Sequence, residues 1–231
     1  MNILFLCREN CKKSDAAYSY ISKFKDWEIT RIKESERGKA ELPEILFPVD
    51  YIFCFRYPKI LTKKQIEGAM EGAVNFHPAP PRYRGSGAIN HALYNEDETF
   101  GVTAHMINDS IDGGEIVGLR EWGIDPSYNV ELLLKVAEAE LLELFKEVVT
   151  DLYYNDEKLF DRQYLYKIKD IRFSGYPHSI SEIDELSNID PNVNKKELER
   201  IIRATWQDNP EHNPHINLHG YKFVLKSENP K

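Results

Sequence analysis

Asn75 and His77 stand two residues apart at the end of an apolar run, Ala73-Val74-Asn75-Phe76-His77, and Pro78 follows at once. In an extended chain, residues i and i+2 share a face. An amide and an imidazole therefore project together from a strand end, where Pro78 stops the ladder. Asp112 lies in the turn Ser110-Ile111-Asp112-Gly113-Gly114-Glu115, after a second strand-like run from Val102 to Ile107. That turn can carry a carboxylate back beside the pair. Such groups suit acyl or formyl transfer between amines. An amide N–H can hold the oxygen of a tetrahedral intermediate. An imidazole with a near-neutral pKa can move the proton lost by an attacking amine, and a carboxylate can orient the ring or relay its proton. No Ser or Cys nucleophile is needed when the amine attacks directly. On spacing alone a plainer reading comes first: a strand-end histidine held by local hydrogen bonds and an aspartate in an Asx turn. Asn-x-His by itself is a weak pattern.

Strands and helices must hold these loops together. Ile3-Leu4-Phe5-Leu6-Cys7 is a continuous apolar run, as expected of a strand buried on both faces, and Val49 to Phe55 reads as another buried strand. Trp27 to Ile32 alternates and reads as a further strand, and Ala73 to Phe76 as the fourth. Lys13 to Phe24 carries Ala16, Ala17, Tyr20, Ile21 and Phe24 at helical spacing, Ser35 to Glu44 is a charged loop or frayed helix, and Thr62 can cap a short helix. Gly85 to Asn95 predicts a helix with Ala88, Ile89, Ala92 and Leu93 inward, on which His91 reads as a surface or core histidine. Phe100 to Ile107 and Glu115 to Trp122 read as a hairpin. Val130 to Tyr153 is the longest helix, with Leu133, Ala137, Leu141, Leu144, Phe145 and Val148 in its apolar stripe and solvated Glu and Lys opposite.

This alternation predicts an α/β fold: a Rossmann-like, mostly parallel sheet with helices on both faces. In such sheets ligands bind outside the carboxyl ends of the strands. That places the loops Arg8 to Lys13, Arg56 to Leu61 and His77 to Gly87 around one cleft. The composition shifts to Tyr, Asn, Asp and Pro after Asn155. The expected division is a catalytic domain over residues 1–154 and a small α+β C-terminal extension over 155–231. The extension is read as an edge at Tyr164-Leu165-Tyr166, a helix from Asn194 to Ala204, a polar loop from Asn209 to Asn217, and a last strand from Gly220 to Leu225.

The net charge of −8 argues against a general affinity for nucleic acid, whose phosphates demand a basic surface. Cys7, Cys11 and Cys54 form neither a disulfide framework nor two zinc-ligand pairs, so no metal is expected. The chain begins directly on a strand-like run without a basic lead, and no apolar run reaches membrane-spanning length. The expected location is cytoplasmic, with no membrane partner.

The central stretch resembles the signature of the folate-dependent formyltransferases. Asn75-Phe76-His77-Pro78, Pro80-Pro81-Arg82-Tyr83-Arg84-Gly85, Gly101-Val102-Thr103 and Asp112-Gly113-Gly114-Glu115-Ile116 occur in the order that family shows. Four linked pieces make a specific signal where one alone does not. The resemblance implies that Asn75, His77 and Asp112 are the catalytic trio and that 10-formyltetrahydrofolate is the formyl donor. It implies folate contacts from Tyr57, Pro58, Lys59, Ile60 and Leu61, and from Gly113.

The branch is read from what surrounds the signature. The glycinamide ribonucleotide enzymes carry a glycine phosphate loop where this chain has Arg8-Glu9-Asn10-Cys11. The methionyl-tRNA enzymes carry a separate C-terminal barrel domain. Asn75 to Pro81 and Val102 to His105 are similar to the sugar-nucleotide N-formyltransferases, which act on dTDP-linked amino sugars for bacterial surface polysaccharide. The expected substrate is thus a nucleotide-linked amino sugar, with a homodimer as the assembly. Candidate substrate contacts are Arg8, Tyr83, Arg84, His105, Tyr176 and Trp206, with Phe173 as a further ring on which a nucleobase could stack. Glycinamide ribonucleotide formylation, or a folate- or nucleotide-binding module without catalysis, is the alternative.

Overall fold

The central strands form on mostly apolar runs. In a computed structural model, which describes residues 1–154, 168–208 and 212–226, the chain starts with β1 (Asn2–Arg8), α1 (Lys12–Ile21) and β2 (Glu28–Glu34). There follow β3 (Gly38–Lys39), β4 (Val49–Phe55), β5 (Lys59–Ile60), α2 (Lys63–Glu67) and β6 (Ala69–His77). Next come β7 (Arg84–Gly85), α3 (Ala88–Tyr94), β8 (Thr99–Met106), β9 (Ile116–Gly123) and α4 (Val130–Tyr154). The extension contributes β10 (Pro177–His178), α5 (Ile180–Ser187), α6 (Lys195–Thr205) and the hairpin of β11 (His215–Leu218) and β12 (Tyr221–Val224).

The main sheet has six strands in the order β2-β1-β4-β6-β8-β9. The first four run parallel, β8 is antiparallel to β6, and β9 is antiparallel to β8. The mostly parallel α/β sheet with helices on both faces is therefore the observed architecture. Ile3, Phe5, Phe53, Phe55, Val74 and Phe76 face α1 and α4 in the larger core. Phe145 of α4 is at its centre, with ring centroids 5.7 Å from Phe5, 5.4 Å from Phe55 and 4.9 Å from Phe76. Leu4, Leu6, Ile52, Cys54 and Ala73 face the other way, against Leu61 and against Ile66 of α2. Because β6 alternates, Asn75 and His77 share this second face with Ala73 and point away from the Phe145 core.

Local signals explain most element boundaries. Thr62 caps α2 in a full capping box with Gln65, and the Asn194 side chain accepts from the Glu197 N–H at the start of α6. α4 lies directly on β9, since a Cβ on Gly118 would sit 2.9 Å from Leu144. Its outer face differs from the expected solvated one. Glu138 pairs with Arg56, and Arg120 bridges Glu140 and Glu147.

The extension shares the main core: Ala204 is fully buried in it, Asn90 Nδ2 donates to the Ala204 carbonyl at 2.8 Å, and Tyr94 donates to Glu197 at 2.8 Å. Two expectations change here. The polar loop ends earlier than read, because His215–Leu218 pairs with Tyr221–Val224. α5 was not anticipated, although Ser179 and Glu182 form a capping box at its start. The edge expected at Tyr164-Leu165-Tyr166 lies outside the described residues. Among the described residues no helix is long and apolar enough to cross a membrane.

Phe145 tests this core. Phe145→Ala should cost about 3–5 kcal/mol, the usual range for emptying a buried aromatic site, measured as a shift in the urea unfolding midpoint. A loss below about 1 kcal/mol would place the centre of the core elsewhere.

Candidate active site

Antiparallel pairing builds the site. Asn75 on β6 sits opposite His105 on β8, and His77 sits opposite Thr103. Cys54 on β4 sits beside Asn75 on its other flank. A polar row thus crosses the sheet at the ends of these strands. The turn between β8 and β9 brings Asp112 onto it. Asn108 closes that turn by accepting from the Ser110 N–H at 2.9 Å. Gly114 is required there, since a Cβ would lie 1.8 Å from the Met106 carbonyl oxygen. Asp112 itself has φ 41°, a left-handed conformation that Asp tolerates better than most residues.

Two donors hold Asp112, and two imidazoles border it. The Gly85 N–H donates to Oδ2 at 2.9 Å, and Asn75 Nδ2 donates to Oδ1 at 3.2 Å. His105 Nε2 lies 3.3 Å from Oδ1 and His77 Nδ1 lies 3.6 Å from Oδ2. Burial alone would raise its pKa. The His77 side chain, then the His105 contact and the Gly85 N–H, outweigh this and hold the carboxyl well below the ordinary range. It is a carboxylate at neutral pH.

His77 is buried. Its Nε2 lies 3.0 Å from the Tyr83 carbonyl, which can only accept. Nε2 therefore carries the proton in the neutral ring, and Nδ1 is the free base. Burial pulls the His77 pKa below 6.5, and the Asp112 charge only partly restores it. The ring is neutral at neutral pH, with its lone pair beside a carboxylate that will stabilise the imidazolium once a proton arrives. His105 donates from Nδ1 to the Met106 carbonyl at 2.9 Å, leaving Nε2 of the neutral ring to accept from Asn75 Nδ2 at 3.2 Å.

This polar row lines a cleft of about 1170 Å³ that also takes in Arg8, Tyr57, Pro58, Lys59, Ile60 and Leu61. Several expected contacts therefore converge. Part of the Tyr57 to Leu61 backbone is already engaged: Lys59 and Ile60 pair with β3, and the Ile60 carbonyl accepts from the Ala40 N–H. Other expected contacts lie elsewhere. The Tyr83 hydroxyl donates to Asp97, away from the cleft, and it is the Tyr83 carbonyl that serves the site. Arg84 gives its N–H groups to the carbonyls of Ile111, Asp112 and Gly175. It clamps the Asp112 turn from behind, and Gly113 leaves room for it, since a Cβ there would meet Arg84 at 3.0 Å. Trp206 borders a separate depression with Asn213 and Leu225, and the exposed Tyr176 donates to Glu182 at 3.2 Å. Phe173 stands edge-on to His105, with centroids 5.0 Å apart, and 6.4 Å from His77, so it walls the site. Sequence reasoning missed the Gly85 N–H and the Tyr83 carbonyl, which are backbone groups. The doublet Thr103-x-His105 did carry a signal, because it repeats the Asn75-x-His77 spacing on the neighbouring strand.

A family model described as formyl transferase matches residues 11–149. The chain belongs to the formyl transferase family. A methionyl-tRNA formyltransferase from Thermotoga neapolitana is 34% identical over 123 residues, covering 52% of this chain and 38% of that protein. The chain thus spans less than half the length of this curated relative. In fold it is similar to a sugar N-formyltransferase from a Shewanella species, with TM-score 0.76, 15% identity, and 98% and 97% of the two chains covered. An N-formyltransferase from Helicobacter canadensis, solved with folinic acid and dTDP-3-aminofucose, aligns with TM-score 0.68 and 18% identity over 95% of this chain and 85% of that one. The similarity to folate-dependent formyltransferases read from the motifs is borne out, and the fold is that of the sugar N-formyltransferases.

The tautomer argument makes the His77 ring measurable. In 15N-resolved NMR spectra the neutral ring should carry its proton on Nε2 and titrate below 6.5. Asp112→Asn removes the charge that raises this pKa, so the midpoint should move lower still. Both wild-type shifts act in the same direction on stability. Folding leaves His77 and Asp112 with fewer protons than the unfolded chain binds, so stability falls as pH drops, first below 6.5 through His77 and then below 3.8 through Asp112. A His77 midpoint above 6.5 would overturn the assignment.

Proposed function

We propose that this formyltransferase moves a formyl group from 10-formyltetrahydrofolate to the amine of a nucleotide-linked amino sugar, a dTDP-amino-dideoxyhexose being the expected form. The observation that carries the reading is the cleft, in which one neutral buried imidazole and one amide meet a wall of cations. Arg8, Arg37, Lys39 and Lys59 line it against Asp109 and Asp112, although the whole chain is acidic. Arg8, Arg37 and Lys39 have no carboxylate partner among the described residues. Such a wall suits an anionic substrate such as a nucleoside diphosphate sugar.

The residues present fit the donor. Leu61, Ile66 and Ile107 give an apolar slot for a flat heterocycle, at the end of the cleft where Tyr57 to Leu61 would hold it. When bound, the folate supplies the activated formyl group, and a leaving nitrogen that must be protonated. The chain does the rest. His77 Nδ1 takes the proton that the attacking amine loses, and the resulting imidazolium pairs with Asp112. His77 then returns the proton on the leaving-group side. Asn75 Nδ2 has two hydrogens. Asp112 keeps one, and the other, now facing the weaker acceptor His105 Nε2, is the one available to an acyl oxygen gathering charge. Phe173 and the strand walls limit water at the reacting atoms. The product would feed bacterial surface polysaccharide. As a homodimer the chain would have its most apolar candidate contact on β11 and β12, where Leu218, Tyr221 and Phe223 are exposed.

A second reading, formylation of methionyl-tRNA, has support in the names of the curated relatives. One assay separates the two. The protein is incubated with 10-formyltetrahydrofolate and a panel of dTDP-amino sugars, glycinamide ribonucleotide and methionyl-tRNA, and each product is weighed by mass spectrometry. Formyl gain on a nucleotide sugar is expected, and gain on tRNA or glycinamide ribonucleotide alone would overturn the proposal. His77→Asn should lower turnover by about 10²–10⁴-fold with the fold intact. Asp112→Asn should lower turnover strongly while leaving sugar-nucleotide affinity nearly unchanged. Normal turnover in a folded His77→Asn protein would sink the mechanism.

A further inference from the structure

Three side chains that the proposed chemistry does not use converge where the extension meets α3. His91 comes from α3, His178 from β10 and Glu182 from α5. One ligand atom from each lies within 4.8 Å of the other two. His178 Nδ1 is 2.6 Å from Glu182 Oε2, and His91 Nε2 is 3.8 Å from the same oxygen. The two imidazoles face each other with centroids 4.0 Å apart. His91 Nε2 is buried and has no hydrogen-bond partner.

That orphaned nitrogen decides the reading. A buried ring nitrogen without a partner is costly. Its lone pair, or the N–H in its place, has no partner among the described residues, and a metal ion would take the lone pair. Two imidazole nitrogens and one carboxylate oxygen gathered at a common point can be joined by a divalent cation, each histidine binding through an unprotonated nitrogen. We infer that His91, His178 and Glu182 form a binding site for a zinc-class divalent metal ion that pins the C-terminal extension to α3.

The donor set favours zinc or cobalt over magnesium or calcium, which prefer all-oxygen sites. Tetrahedral zinc, with bonds of about 2.0–2.1 Å, holds its ligand atoms roughly 3.4 Å apart. The two separations at Glu182 Oε2, 2.6 and 3.8 Å, bracket that value, and the two histidine nitrogens lie within 4.8 Å of each other, so side-chain adjustment suffices. On binding, the proton now shared by His178 and Glu182 leaves to solvent. The fourth position is open to water. Tyr176, which donates to Glu182 at 3.2 Å, closes one side.

The site is connected to the chemistry through the backbone. His178 pairs with Gly85 in the β7–β10 ladder, and the Ser86 N–H donates to the His178 carbonyl at 2.9 Å. Gly85 is the residue whose N–H holds Asp112. A metal at His178 therefore fixes the strap that orients the carboxylate, and touches no reacting atom. Its ligands are positioning residues. The sequence expectation of no metal rested on the cysteines; His91 lies far from His178 and Glu182 in the chain, so their convergence had no sequence signature.

The test uses untagged, full-length protein stripped with a chelator and titrated with Co²⁺. One equivalent should bind, giving the intense visible absorption of low-coordinate cobalt, and Zn²⁺ should displace it. Zn²⁺ should also raise the melting temperature. His91→Gln and Glu182→Gln should each weaken Co²⁺ binding at least tenfold and abolish the thermal shift; glutamine at 182 retains the capping geometry of α5. Absence of the spectrum in the wild-type protein would overturn the inference. So would a spectrum that survives unchanged in both variants, since the metal would then sit elsewhere, for example on a cysteine. Neither readout depends on formyl transfer, so failure here leaves the proposed reaction standing.

Discussion

A buried carboxylate that stays ionised must be surrounded by donors, and Asp112 sets this requirement for the whole site. Its side chain is only 13% exposed. The Gly85 N–H and the Asn75 amide donate to it, and the rings of His77 and His105 border it, able to pair with it once protonated. Three elements deliver them: β7 brings Gly85, the central β6 brings Asn75 and His77, and the antiparallel β8 beside it brings His105. Arg84 adds a second tier by holding the carbonyls of Ile111 and Asp112, which lets a non-glycine residue persist at φ 41°. The charge at Asp112 thus explains why two loops distant in sequence have one fixed relation.

The sheet supplies the other half of that relation. Four parallel strands alone would leave Asn75 and His77 at a strand end with no neighbour on one flank. The antiparallel β8 provides it, placing His105 and Thr103 opposite them. The opposite side of the same strands is filled by Phe76 and Phe145. A polar row on one face is therefore supported by an aromatic core on the other, which keeps the strand ends rigid. Loops around the cleft can then differ without moving the trio.

Much of this was legible beforehand, for identifiable reasons. A continuous apolar run located β1, the mostly apolar stretch from Val49 to Phe55 located β4, and the stripe from Val130 to Leu152 located α4 almost to the residue. The period-two spacing of Asn75 and His77 gave their common face. Side-chain destinations were less legible. Tyr83 and Arg84 look like ligand contacts because polar residues beside a motif usually are. In the fold their polar side-chain groups go to Asp97 and to backbone carbonyls, pairings made across the chain. The Ser179-x-x-Glu182 box that begins α5 was readable and passed over, because the tail's composition suggested irregular structure. The Gly85 N–H and the Tyr83 carbonyl have no sequence signature at all, since every residue except proline offers the same backbone groups.

Backbone groups also settle the acid–base assignment. An imidazole near a carboxylate commonly donates to it, which would leave Nε2 as the base. Here the Tyr83 carbonyl takes the Nε2 proton at 3.0 Å, and the carboxylate lies 3.6 Å from Nδ1, too far for a strong hydrogen bond. A neutral ring beside a carboxylate, with its lone pair on the same side, is a base whose protonated form is stabilised more than its resting form. That difference is what a proton-transfer catalyst needs, since only stabilisation gained along the reaction lowers its barrier. Burial works in the opposite sense and keeps the ring neutral until substrate arrives. The position of the Tyr83 carbonyl depends on Pro80, whose carbonyl accepts the Tyr83 N–H at 3.0 Å, and on the Tyr83 ring anchored by Asp97 and Asn95. The proline-rich loop between His77 and Gly85 is thus the frame that fixes the tautomer of His77.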